Sequence, residues 1–216
     1  IPYADRGWPT FESHVAVLIK RASADWDTCF EVGAEDGQAR KRSPPLTPEG
    51  FDELLRSKHF TNGADKAVVS GLYRRTVDEF LGHTSELLLS GLGWGDAEAS
   101  QLAKALPLCV SLTKLDLARN VLSDAGVRAL CSCAGRLAEL DLSGNRVGEE
   151  GLAALADACG EGLSLKLRDI SLPGDFSPLT YATAYGHERL VRALLRGGAC
   201  LVEADTAGRT ACLAAA

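Results

Sequence analysis

The chain has 216 residues, 46% of them hydrophobic, and carries a net charge of −6, enough apolar material for one large core or two to three small ones and too much for a disordered chain. That acidic balance supplies no basic field for nucleic acid or an anionic membrane surface, and no apolar run approaches the ~18 residues of a membrane-spanning helix, so neither nucleic acid nor direct membrane insertion is expected. The seven cysteines, Cys29, Cys109, Cys131, Cys133, Cys159, Cys200 and Cys212, are odd in number and contain no Cys-x-x-Cys pair, which argues against a disulfide framework or zinc module and for an intracellular, reducing compartment. The first residues lack the charged-then-apolar order of a secretory signal. Met is absent even at position 1, and the chain stops in ACLAAA, so a fragment of a longer protein or a processed one is expected.

Residues 1–84 read as mainly helical. In WPTFESHVAVLIKR, Pro9 stands at a helix start and Phe11, Val15, Leu18 and Ile19 follow at helical spacing. DWDTCFEVG suits a short strand, and GAEDGQARKRSPP an exposed loop of turn formers and charge. In LTPEGFDELLRSKHF, Thr47 is placed to cap a helix that begins with Pro48 and carries Phe51, Leu54 and Leu55; NGADKAVVSGLYRRTVDEFL gives a third helix through Val68, Val69, Leu72, Tyr73, Val77, Phe80 and Leu81.

The segment YADRGWPTFE is similar to the Arg-x-Trp-Cys-x-x-Glu segment near the end of some TIR-like and heterokaryon-incompatibility-like signalling domains, through Arg6, Trp8, Phe11 and Glu12, with Pro9 in place of the Cys. The resemblance implies that the chain holds only the tail of such a domain, its catalytic centre lying upstream. A structural reading fits the same residues: Trp8 and Phe11 staple a helix start while Arg6 and Glu12 pair at the surface.

From Ser85 the leucines recur. LTKLDLARNVL and LAELDLSGNRV superpose Leu115 on Leu140, Leu117 on Leu142 and Asn120 on Asn145, a step of 25 residues. LLLSGLGW offers Leu87 and Leu89 in the same roles 28 residues upstream, and LKLRDISL offers Leu165 and Leu167 a further 25 downstream, with Ile170 in the place of the Asn. A strand sends alternate side chains to opposite faces, so the leucines point inward and the residues between them outward. Each Asn is placed to bond backbone groups as the chain bends away. The return path is a helix, capped by Ser123 or Asp124 with Val127, Leu130, Cys131 and Ala134 on its apolar side, and repeated with Glu149, Leu152, Leu155, Ala156 and Cys159. No coil closes a core alone, but stacked coils share one. Residues 85–173 resemble the leucine-rich repeat family, in its ribonuclease-inhibitor-like subclass. The resemblance implies an α/β solenoid of parallel strands plus helices, and protein binding through a concave strand face made here of Glu86, Leu88, Lys114, Asp116, Glu139, Asp141, Lys166 and Arg168.

After LPGD the punctuation changes. Ser177, Pro178 and Leu179 open a unit that turns at Gly186 and His187, continues with Leu190, Val191, Leu194 and Leu195, and reaches Asp205, Gly208 and Thr210, the last 33 residues after Ser177. Residues 174–216 resemble an ankyrin repeat with a truncated second repeat, and Thr180 stands where His is usual. One such helix pair cannot bury its own core, so the leucine-rich coils are expected to cap it on one side and further repeats to follow.

Chemistry is sparse. His14, His59, His83 and His187 lie in no recognisable catalytic frame. GLGWGD lacks the G-x-G-x-x-G order and reads as the turn after a leucine-rich strand. Arg40, Lys41 and Arg42 form a short basic run suited to an exposed loop. No enzyme activity, metal or cofactor is expected. The sequence points to a scaffold, adaptor or accessory subunit that binds one or more proteins, the alternative being the regulatory or sensor tail of a signalling enzyme.

Overall fold

In a computed structural model the residues described are 5–19, 28–29, 40–41, 43–170 and 176–201, with Pro2, Leu172, Thr210 and Ala211. Asp205 and Gly208 lie outside them. The chain divides into two compact units, Ile1–Ser85 with Lys104–Ser111, and Glu86–Ala103 with Leu112–Ala216.

The first unit contains α1 (Gly7–Ile19), β1 (Thr28–Cys29), β2 (Arg40–Lys41), α2 (Pro48–Arg56), α3 (Asp65–His83) and a 3-10 turn at Leu106–Leu108. Thr47 caps α2 by accepting the Gly50 N–H at 3.1 Å, and Pro48, which needs no intrahelical partner for its nitrogen, opens the first turn. Val69, Tyr73, Val77 and Leu81, four residues apart, form the buried stripe of α3. Phe51 stacks on Tyr73 with ring centroids 3.8 Å apart, and the Tyr73 hydroxyl donates to the Leu46 carbonyl at 3.0 Å; burial pushes this phenol up to about 12. At the start of α1, Trp8 meets Phe11 edge to face at 6.2 Å and donates through Nε1 to Asp65 Oδ2 at 3.2 Å. A Cβ at Gly7 would run into the ring of Phe60, which would have to move to admit it. One expectation is corrected: Arg40 and Lys41 are not loop but pair antiparallel with Cys29 and Thr28. Backbone pairing satisfies both segments, whatever the charge of their side chains.

The second unit is built on four parallel strands in chain order, β3 (Glu86–Leu88), β4 (Lys114–Asp116), β5 (Glu139–Asp141) and β6 (Ser164–Lys166). Parallel neighbours need a crossover, supplied by α4 (Asp96–Ala105), α5 (Asp124–Ala134) and α6 (Glu149–Ala158). Leu115, Leu117, Leu140, Leu142, Leu165 and Leu167 are buried. As each strand ends the backbone enters the left-handed region, at Gly91, Arg119, Gly144 and Asp169. Glycine adopts this freely, whereas a side chain such as that of Arg119 adds about 1–2 kcal/mol of strain.

Two ladders tie the coils together. Asn120 Oδ1 accepts the Trp94 N–H at 3.0 Å while its Nδ2 donates to the carbonyls of Leu89 and Leu117, each at 2.9 Å. Asn145 repeats this with the Leu122 N–H at 3.1 Å and the carbonyls of Leu117 and Leu142 at 2.9 Å. The second ladder runs along the helix starts. Asp96 accepts from the N–H groups of Ser123 (2.8 Å) and Gly126 (3.0 Å) of the next coil, and Asp124 from the N–H of Gly148 at 2.5 Å. Ser123 also accepts the Ala125 N–H at 3.3 Å. On α5 it is Cys133, not Cys131, that joins Val127, Leu130 and Ala134 inside, while Cys131 stays half-buried. A second helix packed alongside turns the buried stripe beyond what the i, i+3, i+4 pattern of one helix indicates.

The unit ends in a helix pair, α7 (Pro178–Ala184) and α8 (Glu188–Arg196), packed against α6 and β6. Ser177 caps α7 by accepting the Thr180 N–H at 3.1 Å, and the Ser177 and Thr180 hydroxyls share a 2.7 Å bond. Gly186 makes the turn at φ 70°. Leu190, Ala193 and Leu194 are buried on α8, whereas Leu195 is exposed.

Candidate functional site

The sheet buries alternate leucines, so its other face carries the residues between them. Register sets them in rows: Glu86, Lys114, Glu139 and Ser164 across one, and Leu88, Asp116, Asp141 and Lys166 across the next. Arg168 follows just beyond β6 and is exposed, as is Glu86; Leu88, Lys114, Asp116, Glu139, Asp141 and Lys166 are half-buried. Seven of the eight residues assigned to a binding face therefore lie on one surface, with Arg168 just beyond its edge. Ser164 completes the first row, and a serine in an apolar frame gave no signal for it.

Glu139 sits at the centre. It accepts from Lys166 Nζ at 2.5 Å through Oε1 and pairs with Lys114 Nζ at 3.6 Å through Oε2, so one carboxylate bridges three strands. The Lys166 hydrogen bond holds the Glu139 carboxyl below its ordinary range, and the same bond raises Lys166. Asp116 and Asp141, opposite one another in register, each turn one oxygen back to the loop that follows: Oδ1 accepts from the N–H groups of Ala118 at 2.9 Å and Ser143 at 3.0 Å. Like charges on adjacent strands repel, and these backbone bonds fix both carboxylates in place.

The bridge has a pH signature. Because the folded Glu139 value is lowered, its contribution is present above the ordinary glutamate value of 4.5 and is lost as pH falls through the folded value. A half-exposed ion pair is worth about 0.2–1 kcal/mol. The expected result is that Glu139→Gln lowers the unfolding midpoint slightly at pH 7 and that the difference from the parent closes on acidification; thermal melts from pH 7 down to 3 check it.

Among the described residues, no group of three or more His, Cys, Asp or Glu side chains is arranged to hold a metal ion, and no helix is long and apolar enough to cross a membrane. Burial pushes the thiols of Cys133 and Cys159 up to about 11 and also raises that of Cys131, which makes them poor nucleophiles at neutral pH.

Compared with known families, residues 108–131 and 137–156 match the leucine-rich repeat model. These two stretches span β4 with most of α5, and β5 with most of α6. The chain thus carries leucine-rich repeats at its centre, the repeats that supply Lys114, Asp116, Glu139 and Asp141. No curated protein sequence matches the chain.

Proposed function

We propose that the chain is a non-enzymatic protein–protein interaction module, a scaffold, adaptor or accessory subunit of a larger assembly in a reducing intracellular compartment, and that it docks a partner protein on the outward sheet face. The observation that carries this reading is the lattice of fixed charges on parallel strands: Lys114, Glu139 and Lys166 are locked together, and Asp116 and Asp141 are tied to their own loops. A surface already ordered before association loses little entropy on binding. Leucine-rich repeats generally mediate protein–protein interaction, which supports the same reading. In this proposal residues 1–84 form a helical docking region, 85–173 the leucine-rich coils, and 174–216 an ankyrin-type repeat of which α7 and α8 are the helix pair.

The test is co-purification from native extract with the parent chain, with Asp116→Arg/Asp141→Arg, and with Arg128→Glu on α5 as a control. Arg128 lies off the sheet and pairs with Glu150 at 2.5 Å. The expected result is loss of about nine-tenths or more of the bound partner in the double variant only, since reversing two interface charges typically costs several kcal/mol. Retention of every partner would remove the sheet face from the interface.

A further inference from the structure

Four rings gather where α7 turns into α8. Tyr181 has its centroid 4.5 Å from Tyr185, 6.1 Å from His187 and 6.3 Å from Phe176. Tyr185 and His187 stand 6.4 Å apart with planes only 22° from parallel. The turn enforces this: Gly186 between them has φ 70°, and the His187 N–H is tied to the Ala182 carbonyl at 2.8 Å. Tyr181, 6% exposed, is the floor and belongs to the core. Tyr185 is 58% exposed and buries too little to be explained as core. Helix α7 packs against α6, and the Glu149 carboxylate at the start of α6, after burial itself, helps to raise the Tyr181 phenol. Glu188, the first residue of α8, is already engaged with Arg192 at 2.5 Å; among the described residues Glu149 makes no such ion pair.

Near-parallel aromatic faces on a helix packed against the one that Glu149 opens, on a chain of net charge −6, suit a flat cation. A guanidinium is planar, always charged, weakly hydrated and stacks on aromatic rings, whereas an ammonium is compact and strongly hydrated. We propose that the Tyr181–Tyr185–His187 cluster, with Glu149, is a docking site for an arginine side chain of a partner protein. It rests on the reading of the chain as a protein-binding module but not on the sheet face.

The experiment uses the full chain and small probes, so that it needs no partner protein. N-acetyl-arginine amide and N-acetyl-citrulline amide, alike in shape but not in charge, are titrated while the Tyr185 and His187 ring signals are followed by 1H–13C NMR. Arginine is expected to give a saturable shift of both rings, citrulline a response at least about threefold weaker, and Glu149→Gln a similar weakening. Tyr185→Ala abolishes the response at His187, and Tyr185→Phe, which keeps the ring, restores it. Equal responses to both probes, no response to arginine, or a response indifferent to Tyr185→Ala would each overturn the proposal. Persistence of partner binding in the sheet-face double variant leaves this readout unaffected.

Discussion

Asn120→Ala is expected to lower the unfolding free energy by about 2–4 kcal/mol. Asn120 is 4% exposed, and its amide accepts the Trp94 N–H on one side while donating to the Leu89 and Leu117 carbonyls on the other. Alanine removes all of these at once, with the longer 3.4 Å contact from Nδ2 to the Ala118 carbonyl. Leu117 keeps its bond from Asn145 Nδ2, but the Leu89 carbonyl loses its amide donor in a place water does not reach, and such a loss costs more than the net worth of a bond exposed to solvent. Asn120→Asp separates the two halves of the role: it keeps an acceptor for Trp94 and sets a second oxygen against two carbonyls, so it is expected to do no better than alanine. Because Asn120 and Asn145 share the Leu117 carbonyl, the double alanine variant is expected to depart from additivity. Urea unfolding followed by the fluorescence of buried Trp94 and by circular dichroism measures this. A loss below about 1 kcal/mol would mean that the asparagine is only a convenient turn former.

How far the sequence carries the reader depends on the reach of each signal. The spacing of Leu115 and Leu117 with Leu140 and Leu142 is local and periodic, so strands, inward faces and outward residues were all legible, and strand register sets seven of the eight named face residues on one surface, with Arg168 just beyond it. Thr47 with Pro48 is equally local and caps as expected, and Ser177 before Pro178, read only as the start of a unit, caps in the same way. What was not legible is what depends on the neighbouring coil. That each asparagine bonds a carbonyl about 30 residues upstream, that Asp96 caps the helix of the next coil, and that Gly126 is needed because a Cβ there would lie 2.5 Å from Asp96 Oδ1 are facts of stacking. Cys131 and Cys133 exchanged places for the same reason. Likewise Lys114, Glu139 and Lys166 are unremarkable charges in a linear reading, and only strand register brings them together.

Gly197→Ala is expected to loosen the helix pair from the sheet at a cost of about 3 kcal/mol. Gly197 has φ −72°, a conformation open to any residue, so its backbone gives no reason for glycine. Space does: a Cβ would run into the Leu165 carbonyl, and the next nearest atoms are also Leu165 backbone, which cannot rotate away as a side chain would. Direction matters as much. The Ser164 N–H donates to Ala138 and the Lys166 carbonyl accepts from Leu142, so these two groups face β5. The Leu165 N–H and carbonyl, alternating with them, face the other way, and Gly197 therefore lies against the edge of β6 that no strand among the described residues pairs. An uncovered edge is a template for association. The variant is thus expected to show faster amide exchange in α7, α8 and β6, unchanged exchange in β4 and in α2 and α3, and a concentration-dependent rise in oligomers by light scattering. Gly198→Ala separates strain from crowding: at φ 88° it is expected to cost about 1–2 kcal/mol through the backbone alone, without opening β6. If Gly197→Ala instead leaves the exchange of β6 unchanged, the helix pair does not protect that edge, and the last coil is stable without it.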